Sequence, residues 1–181
     1  VYEQYKAQRE ETPEDIRASV PVIKDILRAF RIPILEAEGF EADDVIGTIA
    51  VKAADMGMQT FMLTPDKDYG QLVRENVFMF RPRHGGGYET LDTDGIASTS
   101  QVIDLLGLMG DSADNIPGCP GVGEKTAVKL ISQFGNIESL LARTDELKGA
   151  LKKKVEENAE QIKFSKFLAT IKTDVPIEPD M

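Results

Sequence analysis

Apolar residues recur along this chain with two spacings. Ile16, Val20, Ile23, Leu27 and Phe30 fall three or four apart, the period of a helix with one apolar face. Thr12 and Pro13 stand before this run as N-cap and first helical position, and Glu14 and Asp15 suit the helix dipole. Pro21 should kink the helix, because it removes an amide donor. A second stripe, Ala42, Val45, Ile46, Ile49 and Ala53, predicts a helix over residues 42–56 that stops at Gly57. Further helices are expected over residues 69–73, 100–108, 124–134 (closed by Gly135) and 136–143. A lysine-rich helical stretch then begins at Thr144 or Asp145 and contains Leu147, Leu151, Val155, Ile162, Phe164 and Phe167. Short apolar runs at residues 32–35, 59–63 and 76–80 predict strands, the second suited to a buried sheet. Residues 81–90, RPRHGGGYET, read as a mobile loop.

With 181 residues and 41% hydrophobic content, the chain suits one compact domain, or one with a small helical appendage. A net charge of −10 argues, as a sum, against a nucleic-acid partner. The acids, however, cluster in short motifs while lysines gather elsewhere, and acids that hold metal ions are neutralised by them. One cysteine, Cys119, excludes an internal disulfide and a cysteine zinc cage, and one histidine, His84, excludes an HExxH site. No P-loop is present, so hydrolysis of a nucleoside triphosphate is not expected. No apolar run approaches membrane length and no signal peptide is visible, so the protein is expected to be soluble and cytoplasmic. It opens with Val-Tyr-Glu-Gln rather than Met and is expected to be a fragment.

Chemistry concentrates in LMGDSADNIPGCPGVGEKTAVKLI, residues 108–131. Asp111 and Asp114 are three apart, which on a helical turn puts both carboxylates on one face. Gly121-Val122-Gly123 then makes a tight turn opening a helix at Glu124-Lys125-Thr126, where free amides suit a phosphate, with Lys125 and Lys129 one turn apart behind them. An isolated DxxD pair is more often a solvated helix start, and a lone GxG more often just a turn. Side by side they point to a phosphodiester. Two further acidic motifs exist. Glu41, Asp43 and Asp44 crowd the start of one helix, where the dipole favours acids by roughly 0.3–1 kcal/mol each. Three like charges so close nonetheless repel unless something positive sits among them. Asp66 and Asp68 follow a strand, where open α/β sheets place ligands, although a turn also favours Asp. Together the three motifs supply seven carboxylates and no histidine, a donor set for two Mg²⁺ or Mn²⁺ ions rather than zinc.

EADDVIG, TPDKDYGQLV and GDSADNIPGCPGVGEKTA, in that order, resemble the 5′ nuclease (flap endonuclease-like) domain family of bacterial DNA polymerase I, over nearly the whole chain. The resemblance implies an α/β fold of PIN-like 5′ nuclease type, a sheet-and-helix core with a C-terminal helix–hairpin–helix-type region. Its domains would be a nuclease core at 1–99, a helical DNA-binding region at 100–172 and the start of a linker at 173–181. It implies two-metal hydrolysis of DNA at 5′ ends and flaps, with the first acidic motif nearer one ion and Asp111 and Asp114 nearer the other. Tyr5-Lys6-Ala7-Gln8-Arg9 is similar to the family's helical arch, in which the lysine and arginine contact the scissile phosphate. The hairpin Gly121-Val122-Gly123 would grip duplex, its carbonyls also able to hold K⁺. The implied partners are duplex or flap DNA and a polymerase domain in the same parent chain, with no membrane. Two features depart from the family: two upstream aspartates are absent, and the segment after Asp94-Gly95 is short. The fragment is therefore expected to cleave weakly or not at all. The alternatives are a DNA-binding fragment without catalysis and a PIN-type ribonuclease.

Overall fold

The computed structural model describes residues 2–94 and 99–178. Its first helix, α1 (Glu14–Ala29), runs through Pro21 unbroken, and Pro13 takes the N-cap position expected of Thr12. None of its residues is buried: the stripe expected to face a core leaves Ile16 and Ile23 each 53% exposed and the following Phe30 74% exposed. Helix α2 (Ala42–Asp55) instead turns Val45, Ala50 and Ala53 inward. It packs on β1 (Thr60–Leu63) and β2 (Val77–Pro82). A third strand, β3 (Tyr88–Leu91), completes a sheet of order β1-β2-β3. Strands β1 and β2 are parallel, Thr60 opposite Val77 and Leu63 opposite Phe80; β2 and β3 are antiparallel, Met79 opposite Leu91.

Strand β3 lies within the stretch expected to be a mobile loop. Its three glycines, at φ of 95°, 101° and 81°, supply the left-handed turn of a hairpin, closed by the Arg83 amide donating to Gly87 O at 3.0 Å. Phe80 stacks on Tyr88 across it, ring centroids 4.7 Å apart. Residues 32–35, expected as a strand, form none, in keeping with a proline that has no amide to offer a ladder. The helix expected over residues 69–73 is a 3₁₀ helix, Lys67–Leu72. The short segment after Gly95 falls outside the described residues.

The second half is helical: α3 (Thr99–Met109), α4 (Glu124–Phe134), α5 (Ile137–Ala142), a 3₁₀ turn at Thr144–Glu146, α6 (Gly149–Glu157) and α7 (Ala159–Ala169). The lysine-rich stretch is thus two helices, parted at Asn158 (φ −112°, ψ 18°). One apolar cluster, with Leu108, Val122, Ile131, Ile137 and Ile162, fills this half; another, with Met62, Tyr69, Val73, Val77 and Met79, underlies the sheet. Helix α3 joins the two, packing on both the 3₁₀ helix and α7. Its Gly107 allows close approach: a Cβ there would stand 3.1 Å from Lys166 Cα. Buried Asp104, 2% exposed, accepts from Lys166 Nζ at 2.7 Å and from the Ile137 amide at 3.1 Å, which fixes three helices to one another.

After α7 the chain returns over α2. The Val175 amide donates to Thr48 Oγ1 at 3.1 Å, and a Cβ at Gly47 would meet Ile171 Cγ2 at 2.9 Å. The segment expected to begin a linker therefore lies against α2 as far as it is described, with Val175 buried. Among the described residues no helix is long and apolar enough to cross a membrane.

Candidate metal cleft and hairpin

Three distant segments meet in one cleft of about 660 Å³. Glu41 and Asp43 come from the start of α2, Asp66 and Asp68 from the turn after β1, and Asp111 and Asp114 from the loop after α3. Lys6, Arg9 and Lys67 line the same cleft. Asp44 does not. It accepts the Glu41 amide at 3.3 Å and the Lys172 amide at 2.9 Å, so it ties the start of α2 to the returning chain. Asp44 lines the adjoining hollow instead.

Asp111 and Asp114 are not on a helix. Residues 111–116 form a turn, closed by Asp111 and Ile116 exchanging two backbone hydrogen bonds of 3.0 and 2.8 Å, with Asn115 left-handed at φ 58°. The turn still delivers both carboxylates to one cleft. Gly110 and Gly118 stand at its base, where the two backbones approach so closely that a Cβ on Gly118 would meet the Gly110 amide.

Residues 2–8 are a succession of turns rather than an arch helix, with Lys6 left-handed at φ 56°. The reason is tertiary: Lys6 donates its amide to Asp114 O at 3.0 Å, and Asn115 Nδ2 donates to Gln4 O at 2.6 Å. Lys6 Nζ reaches both oxygens of Glu41 at 2.7 Å and lies 3.7 Å from Asp114, while Arg9 pairs with Asp114. Lys67 Nζ lies 3.1 Å from Asp111 Oδ2. Three cations therefore stand among six acids, satisfying the need for positive charge between them.

The compensation is incomplete. Burial, followed by repulsion from Asp66, pushes the Asp68 carboxyl up to about 6, and its Oδ1 is buried without a hydrogen-bond partner. Burial alone would depress Lys6, but hydrogen bonds to Glu41 and Tyr5 outweigh it and push the ammonium up to about 12. Asp111 is held low: burial opposes this, and the Ala113 amide and Lys67 overcome it. Burial raises the Tyr69 phenol, as does its own hydrogen bond to Asp43 Oδ1 at 2.7 Å. Among the described residues no three carboxylates are already closed around a common point. The all-oxygen set of candidate donors, the orphaned Asp68 oxygen and the lysines standing where a cation would stand nonetheless fit hard divalent ions.

The glycine hairpin is elsewhere on the helical half. Gly121 is left-handed at φ 74°, and Val122 is buried, its amide donating to Cys119 O at 3.0 Å. Gly123 is the extended N-cap of α4, with no side chain capping the helix and open space where its Cβ would be. Of the two glycines, only Gly121 is required by backbone conformation. Lys125 and Lys129 are exposed, and Thr126 is half-buried, its amide bonding Gly123 O at 3.0 Å. Lys154 from α6 also stands here, its ammonium occupying the space beside Gly121.

Three residues emerge that were not singled out in the sequence. Lys67 was flanked by two candidate ligands, which was a usable signal. Tyr69, which orients Asp43, and Lys172, whose amide holds Asp44, had no local signal, because both contacts join segments far apart in the chain.

Comparison with known proteins adds a second line. The family pattern described as "5'-3' exonuclease, N-terminal resolvase-like domain" matches residues 1–101, and "5'-3' exonuclease, C-terminal SAM fold" matches residues 97–181. The DNA polymerase I of Bacillus caldotenax is 41% identical over 184 residues, and that of Bacillus subtilis (strain 168) 43% over 184, each match covering 98% of this chain and 21% of the relative. The chain thus spans about a fifth of the length of these relatives. Among solved structures, T5 D15 protein co-crystallized with metal ions matches with a TM-score of 0.77 and 22% identity, over 95% of this chain and 69% of that one. The catalytic core of Rad2 in complex with DNA substrate matches at TM-score 0.57 and 17% identity, over 91% and 59%. At these identities the structural likenesses establish the fold: a PIN-like α/β core with a helical, SAM-like C-terminal part.

Proposed function

The chain belongs to the 5′-3′ exonuclease family, and from that premise we propose that it hydrolyses DNA phosphodiesters at 5′ ends and flaps with two divalent ions, Mg²⁺ or Mn²⁺. One observation carries the reading: six carboxylates from three remote segments line one cleft, and one of them keeps a buried oxygen without a partner. Ions bound there would polarise a phosphodiester and supply an activated water at neutral pH. Glu41, Asp43, Asp66 and Asp68 would hold one side of the site, and Asp111 and Asp114 the other, with Asp44 keeping the helix start in place. Tyr5 steadies Lys6, and Lys6 and Arg9, already within the cleft, would turn to the scissile phosphate. Gly121, Val122, Gly123, Lys125, Thr126 and Lys129 would seat duplex backbone, with Lys154 beside them and K⁺ on the hairpin carbonyls. Residues 1–99 would form the nuclease half, 100–172 the DNA-gripping half and 173–181 the approach to a polymerase in the same polypeptide, working in the cytoplasm.

One observation favours a second reading, DNA binding without cleavage: three of the six cleft acids, Glu41, Asp114 and Asp111, are already paired with Lys6, Arg9 and Lys67. A 5′-flap DNA substrate separates the two. The proposal expects cleavage with Mg²⁺ or Mn²⁺, none with EDTA, and little on single-stranded RNA. Tight DNA binding with no cleavage under any ion would favour the second reading, and preferential RNA cleavage would overturn both.

A further inference from the structure

After α7 the chain runs back over the nuclease half as a strap, residues 170–178, with neither helix nor strand in it. The strap grips one face of α2. Asp44, Thr48 and Lys52 follow one another at intervals of one turn, so they share that face. The Lys172 amide donates to Asp44 Oδ1 at 2.9 Å, and the Val175 amide to Thr48 Oγ1 at 3.1 Å. Lys52 Nζ donates to Ile177 O and to Glu178 Oε1, each at 2.7 Å. The order of contacts along the strap thus follows the order along the helix.

The same strap grips the 3₁₀ helix, Lys67–Leu72. Gln71 Nε2 donates to Ala169 O at 3.0 Å, and Gln71 Oε1 accepts the Ile171 amide at 2.9 Å, so one side-chain amide pairs with this stretch as a neighbouring backbone would. Gly47 leaves room where the three pieces meet: a Cβ there would stand 2.9 Å from Ile171 Cγ2 and 3.4 Å from Leu72 Cδ1. A segment that only covered α2 would satisfy its amides on that helix alone. This one divides its hydrogen bonds between the two elements that carry four of the cleft acids. Glu41 and Asp43 stand at the start of α2, and Asp66 and Asp68 at the start of the 3₁₀ helix. These acids repel one another across the gap.

Resting on the nuclease reading, we propose that the strap is a clamp for the metal site, with Gln71 and Thr48 as positioning residues that hold Glu41 and Asp43 in register with Asp66 and Asp68. Neither side chain lines the acidic cleft, so neither would touch an ion. Each acts through the element that carries the acids. Gln71 stands one 3₁₀ turn after Asp68, Thr48 one turn after Asp44, and Lys52 a further turn away. Their influence on the site should fall in that order. Asp111 and Asp114 are held by their own backbone-closed turn, so the clamp serves the opposite side of the cleft.

The test titrates the DNA-free protein with Mn²⁺, reading the free ion by its electron paramagnetic resonance signal, beside thermal melts in EDTA. Gln71→Met keeps the bulk and removes both hydrogen bonds. It should raise the half-saturating Mn²⁺ concentration about tenfold, the lower end for groups that orient metal ligands. Thr48→Val should raise it less, Thr48→Ser should restore wild-type affinity, and Lys52→Met should have the smallest effect. The melts should rank differently. Thr48 is wholly buried, so Thr48→Val should lose the most in Tm, whereas Lys52, partly exposed, should lose little. Blunt-duplex affinity in EDTA should not change in any variant. Wild-type Mn²⁺ affinity in Gln71→Met and Thr48→Val would overturn the proposal while leaving the nuclease reading intact. So would losses of Mn²⁺ affinity that follow the losses in Tm, which would make the strap a support for the fold alone. Failure of the wild-type protein to bind Mn²⁺ at all would remove the two-ion reading and this one with it.

Discussion

The hairpin and the acidic cleft are built in opposite ways. The hairpin is local: Cys119, Val122, Ala127, Leu130 and Ile131, all within 13 residues of sequence, bury themselves in the helical core and fix the turn between them. Its exposed parts, Gly121, Gly123 and Lys125, carry no conflict. The cleft is assembled from segments about 25 to 100 residues apart, and its members repel. It is held by Lys6, Arg9 and Lys67, and it leaves an Asp68 oxygen without a partner. A site poised for an incoming phosphate can be stable on its own, whereas one poised for cations stores repulsion until they arrive.

The largest effect expected from breaking this contrast lies at Asp68. Asp68→Asn keeps the shape and removes the charge. Cleavage of flap DNA should fall by on the order of a hundredfold, the loss expected when reacting groups are misplaced by about 1 Å. The metal-free protein should become more stable, not less. Asp68's carboxyl is pushed up in the fold, so the charged form disfavours folding once pH exceeds the ordinary carboxylate range. The group is partly solvated, so the gain is discounted to about 1 kcal/mol, or roughly 2–4 °C in Tm. Thermal melts in EDTA at pH 7 check this, and a lower Tm for Asp68→Asn would mean that no repulsion is stored at that residue.

At the hairpin the expected effects are smaller. Lys125→Ala and Lys154→Ala should each weaken duplex binding a few-fold, with no effect on Tm. Each should make the slope of log K against log salt shallower by about 0.9 per lost phosphate contact. An unchanged slope for Lys154→Ala would make its position beside Gly121 incidental.

The same contrast explains what could be read from the sequence. Helix α4 was expected and found at Glu124–Phe134, because periodicity, the glycine before it and the glycine after it all lie within the element. Helix α2 and the two parallel strands were legible for the same reason. The placement of all three acidic motifs at element ends was also legible, and six of their seven carboxylates share a cleft. Asp44 belonged to the same cluster by pattern, yet the Lys172 amide, 128 residues away, claims it. The turn geometry of residues 2–8 depends on Asp114 and Asn115, which no local window contains. Strand β3 was missed because Gly85-Gly86-Gly87 signals mobility and a hairpin turn equally well; the deciding contacts, Phe80 on Tyr88 and Arg81 with Glu89, cross the turn. The stripe of α1 was correctly read as apolar, but periodicity states which side of a helix is apolar and not what covers it.

Divalent ions in the cleft would be seen by anomalous X-ray scattering from crystals of the protein equilibrated with Mn²⁺. Peaks are expected within coordination distance of Asp68 on one side and of Asp111 and Asp114 on the other, with Lys67 withdrawn from Asp111. Saturating Mn²⁺ with no peak in the cleft and Lys67 still on Asp111 would contradict occupancy of the cleft by divalent ions.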